Sequence, residues 1–87
     1  MFKVSSSGFS QEYDRWLDAL TTAKSLMPNC KWMQDVRIFE DGHLVWIYSR
    51  SHKYPQFVGA GTYDRLAKRF LLETIIDENA ASGRDEE

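Results

Sequence analysis

Eighty-seven residues, 43% of them hydrophobic and 14% aromatic, fit one small domain with a compact core and no more. The net charge of −2 is unevenly spread: Asp77 to Glu87 holds five acids and one base, whereas residues 1–76 hold ten bases and eight acids. No apolar run approaches the ~20 residues that span a bilayer, Met1-Phe2-Lys3-Val4-Ser5 lacks the apolar region of a signal peptide, and the single cysteine, Cys30, excludes an internal disulfide. A cytoplasmic chain without a membrane partner is expected.

Residues 1–9, with Ser5-Ser6-Ser7-Gly8, read as a flexible lead-in. Ser10 is an N-cap type and Glu12 suits the positive end of a helix dipole. Tyr13, Trp16, Leu17, Leu20 and Met27 follow at helical spacing, with Asp14, Arg15, Asp18 and Thr22 opposite. This predicts an amphipathic helix over roughly 10–27, stopped by Pro28-Asn29. Cys30 then reads as a small half-buried filler. Residues 33–40 and 43–50 are rich in β-formers, and Asp41-Gly42 between them is a strong hairpin signal, because a type I′ turn needs positive φ at both central residues.

Counting outward from that turn pairs Glu40 with His43, Phe39 with Leu44, Ile38 with Val45, Arg37 with Trp46, Val36 with Ile47 and Asp35 with Tyr48. Side chains alternate across a sheet, so one face holds Val36, Ile38, Val45 and Ile47. The other holds Arg37, Phe39, Leu44, Trp46 and Tyr48. A register shifted by one residue would swap the two faces. A short third strand is expected near Gln56-Phe57-Val58; Pro55 confines it to an edge or places its start there. Gly59-Ala60-Gly61 ends it as turn residues. A second helix, capped by Thr62 or Asp64, then runs to about Asn79, with Tyr63, Leu66, Ala67, Phe70, Leu71 and Thr74 on one side. The tail, 79–87, has no large apolar residue and reads as disordered and acidic. The expected domain is residues 10–78, an α+β fold of order α-β-β-β-α with two helices packed on one face of a small antiparallel sheet.

Two surfaces stand out. The outer sheet face, with Arg37, Phe39, Leu44, Trp46 and Tyr48, combines residue types that concentrate in protein interfaces and that also stack nucleic-acid bases. On the second helix Leu72 and Ile76 share a side with Arg65, Lys68 and Arg69. The first helix covers those two aliphatics if it packs sideways; otherwise they are free for a partner. His43 and His52 have no zinc-ligand spacing around them, the Walker lysine and the third glycine of a dinucleotide loop are absent, and Glu40-Asp41 at a hairpin tip is a poor carboxylate pair. No metal, cofactor or catalytic group is expected.

Gly59-Ala60-Gly61-Thr62-Tyr63-Asp64-Arg65-Leu66-Ala67-Lys68 resembles the double-stranded-RNA-binding domain at the start of that family's second helix, and Gly42-His43 is similar to its Gly…His loop. The resemblance implies RNA binding, with Arg65 and Lys68 on phosphates and His43 at the minor groove; Lys53 and Arg69 would add positive charge. The sequence departs from the family at Asp64, which replaces a lysine, in the tight hairpin turn, and at Leu71-Leu72, where small residues are usual. The two surfaces point first to a non-catalytic module that recognises another protein, or a second copy of itself, as a regulator, inhibitor or adaptor; RNA binding is the alternative.

Overall fold

The computed structural model describes the chain through Asp85, with side chains through Asn79. Its elements are β1 (Phe2–Ser6), β2 (Phe9–Tyr13), α1 (Trp16–Leu26), a 3-10 turn (Met27–Asn29), β3 (Asp35–Glu40), β4 (His43–Ser49), β5 (Gln56–Phe57) and α2 (Thr62–Asp85). The strands form one antiparallel sheet in the order β2-β1-β3-β4-β5. The fold is therefore α+β with two helices and a small antiparallel sheet, as expected, but its chain order is β-β-α-β-β-β-α. Of the acidic tail expected at 79–87, the backbone through Asp85 belongs to α2, which was expected to end near Asn79, and Glu86 and Glu87 lie outside the described residues.

The expected flexible lead-in is a strand in the middle of the sheet. Phe2 and Val4 alternate with polar neighbours and are fully buried, while Gly8, at φ 74°, turns the chain between Ser6 and its partner Phe9. Strand β1 then pairs with β3 on its other side, Val4 opposite Ile38. Because Phe9–Tyr13 belong to the sheet, α1 begins at Trp16, six residues later than its apolar spacing predicts. Trp16, Ala19, Leu20 and Ala23 of α1 share a single core with Phe2, Val4, Val36, Ile38, Val45, Trp46 and Leu66. Gly42 and the edge strand are placed as expected, with β5 at the sheet edge beside β4; Cys30, expected half-buried, is buried, its Sγ 3.2 Å from the Gln34 carbonyl oxygen.

The second hairpin keeps its turn and loses its register. Asp41 and Gly42 both have positive φ (50° and 87°), as a type I′ turn requires, and Glu40–His43 and Phe39–Leu44 pair as counted. A β-bulge then intervenes: Ile38 pairs with Trp46, Arg37 with Ile47, Val36 with Tyr48 and Asp35 with Ser49. One residue of β4, Val45, has no partner on β3. The extra residue shifts everything beyond it to the opposite face. Val45 and Trp46 are consequently both buried, at 4% and 2% exposure, which no regular alternation permits.

Candidate interaction surfaces

The bulge rebuilds the outer sheet face. Trp46 does not face out; it is in the core, and Tyr48 packs half-buried against that core from the same side. An Arg37–Trp46 cation–π contact across the strands is excluded, since Arg37 lies opposite Ile47. Arg37 remains exposed and pairs with Asp35 at 2.9 Å. Phe39 and Leu44, cross-strand partners, stay outside and half-buried, joined by Ile47 in the place expected for Trp46. The surviving outer patch is thus aliphatic with one Phe, and it lacks the large stacking surface that Trp46 and Tyr48 would provide.

One carboxylate of α2 joins the two helices by capping α1. The first N–H groups of a helix have no intrahelical acceptor, and Arg15 at the N-cap of α1 supplies none. Glu73 of α2, only 7% exposed, fills the role from another element: its carboxylate accepts the Trp16 N–H at 3.2 Å and the Leu17 N–H at 2.7 Å. Its negative charge sits at the positive end of the α1 dipole. Arg69, one turn earlier, donates to Glu73 at 2.9 Å and to the Asp14 carbonyl at 3.2 Å, with its guanidinium 4.9 Å from the centre of the Phe2 ring. Arg15 completes the joint, donating to Asp18 and to Asp77 of α2. These hydrogen bonds raise the pKa of Arg15, and that from Arg15 lowers the pKa of Asp18.

Fixing Glu73 and Leu66 toward the core fixes what points away. At ~100° per residue, Leu71, Leu72, Ile75 and Ile76 fall on an arc of roughly 140° opposite the buried side. They are 61%, 59%, 52% and 56% exposed. Leu72 and Ile76 are therefore not covered by α1, and Leu71, expected among the inward residues, is outside as well, as is Tyr63. Four aliphatics in two adjacent pairs cannot all share the face that buries Leu66, and this spacing is the signal in the sequence that bears on Leu71 and Ile75. A groove of about 520 Å³ borders the stripe, walled by Trp16, Trp46, Phe57 and Phe70, with Leu71 and Lys24 on its lining.

The residues named for RNA do not form one array of free cations. Arg65 pairs with Glu40, with a 3.0 Å hydrogen bond that raises the pKa of Arg65. Arg69 is held by Glu73, and the Lys53 ammonium lies 5.5 Å from the centre of the Tyr54 ring. His43 is exposed at the hairpin tip opposite Glu40. Lys68, exposed on α2, has no ion-pair partner among the described residues, and neither has Lys53 or His43. Among the described residues no group of three or more His, Cys, Asp or Glu side chains is placed to hold a metal ion, and no helix is long and apolar enough to cross a membrane. No protein-family model, curated protein or solved structure matches the chain.

Proposed function

We propose that this chain is a non-catalytic binding module that recognises another protein through α2. The observation that carries the reading is the outward stripe of Leu71, Leu72, Ile75 and Ile76, each more than half exposed on a helix whose opposite side is anchored in the core. An isolated exposed aliphatic needs no explanation, but four contiguous ones on a rigid helix form the apolar centre that a partner's groove or helix covers. Polar groups border it, Lys68 toward the helix start and Glu78 toward its end, as at an interface rim. RNA binding is less well supported, because phosphate affinity accumulates from free cations and Arg65 and Arg69 are engaged within the chain.

The test places a photo-crosslinking amino acid at position 72 and compares captured material with and without nuclease. A crosslinked protein that survives nuclease and disappears in the Ile76→Asp variant is expected. Crosslinks to RNA, or capture that disappears with nuclease, would replace this reading with the nucleic-acid one.

A further inference from the structure

We infer that the partner of α2 is a second copy of the same chain, the two helices packing antiparallel about a two-fold axis that runs between them at the level between Glu73 and Thr74. The inference rests on the reading above and names its partner. Leu71, Leu72, Ile75 and Ile76 are disposed symmetrically about that level, so Leu72 lies level with Ile75 of the second copy and Leu71 with Ile76. A two-fold contact must be self-complementary in this way, each residue meeting its counterpart twice. Eight aliphatic side chains then leave water in one contact. The long helix makes this feasible: 24 residues rise about 36 Å, in a molecule measuring 50 × 28 × 24 Å, and the core lies on the far side of α2.

Charge selects the second copy and the direction. Most charges along the described part of α2 are satisfied within the chain, Arg65 by Glu40, Arg69 by Glu73 and Asp77 by Arg15. Lys68 and Glu78, exposed on either side of the aliphatic stripe, have no ion-pair partner among the described residues. Antiparallel pairing brings Lys68 of each copy within one residue of the level of Glu78 of the other, so two opposite-charge contacts flank the apolar centre. Parallel pairing would set Lys68 against Lys68 and Glu78 against Glu78. Asp64, also unpaired, lies level with position 83 of the second copy, beyond the stripe.

Sedimentation equilibrium of the full chain is the direct measurement, and a concentration-dependent rise to twice the chain mass is expected. Ile75→Asp should remain monomeric with an unchanged circular dichroism spectrum, since Ile75 is outside the core. Lys68→Glu and Glu78→Lys should each weaken dimerisation by roughly tenfold, because symmetry repeats each new repulsion twice, and the two together should restore it. A wild-type chain that stays monomeric to its solubility limit, or a double swap that fails to restore dimerisation, would overturn the inference. A nuclease-resistant crosslink to a different protein would then leave the binding-module reading in place.

Discussion

Replacing Glu73 by alanine tests the joint on which the outward stripe depends. The substitution removes both acceptors of the Trp16 and Leu17 N–H groups, and α1 has no other side-chain cap. Loss of an N-cap acceptor costs about 1 kcal/mol and up to about 2. Removing a partly buried negative charge from the dipole's positive end adds up to about 1 kcal/mol. A loss of about 2–3 kcal/mol is expected, a large share of the 5–15 kcal/mol typical of a folded domain, equivalent to a fall of about 10–20 °C in melting temperature at this size. Glu73→Gln keeps one acceptor and loses the charge, so it should fall between alanine and wild type. Urea denaturation followed by circular dichroism measures the series, with Asp77→Ala as the control, whose exposed ion pair should matter less than Glu73. A Glu73→Ala midpoint within about 0.5 kcal/mol of wild type would refute the capping role and the packing of α2 derived from it.

Other consequences are open to the same assays. Trp46→Ala should cost about 3–5 kcal/mol of stability, as a fully buried aromatic does; a loss under about 1 kcal/mol would return Trp46 to the surface and remove the bulge. Thr74 buries a hydroxyl oxygen that has no hydrogen-bond partner, so Thr74→Val should stabilise the chain by about 1 kcal/mol in urea melts, and a destabilised variant would show that the oxygen is satisfied. The Arg15 hydrogen bond holds the Asp18 carboxyl below its ordinary value of 3.8. Its contribution is therefore present above that value and is lost as pH falls through the lower folded value. Stability measured from pH 5 downward should fall less steeply in Asp18→Asn than in wild type, and equal slopes would show that Asp18 does not titrate in the pair.

Local chemistry made part of this molecule legible. Asp41-Gly42 adopts positive φ in any hairpin, Pro55 keeps β5 at an edge, Pro28 follows the end of α1, and the glycines before Thr62 precede a helix; each depends on a few neighbouring residues. The α+β class was accessible in the same way, whereas the exposure of Leu72 and Ile76 depended on where α1 packs. The chain order was not. Phe2-Lys3-Val4 is too short a pattern to mark a strand by itself, and it becomes one because β3 offers an unpaired edge and the core has room for two more apolar side chains. The helical spacing from Tyr13 to Leu20 is real, but Tyr13 pairs with Phe2 in the sheet instead. Trp46 reaches the core only through a bulge that regular counting cannot contain, and Glu73 caps a helix more than fifty residues away. These features belong to the tertiary structure because they are settled by competition for buried volume and for hydrogen-bond partners, and the competitors meet only once the chain has folded.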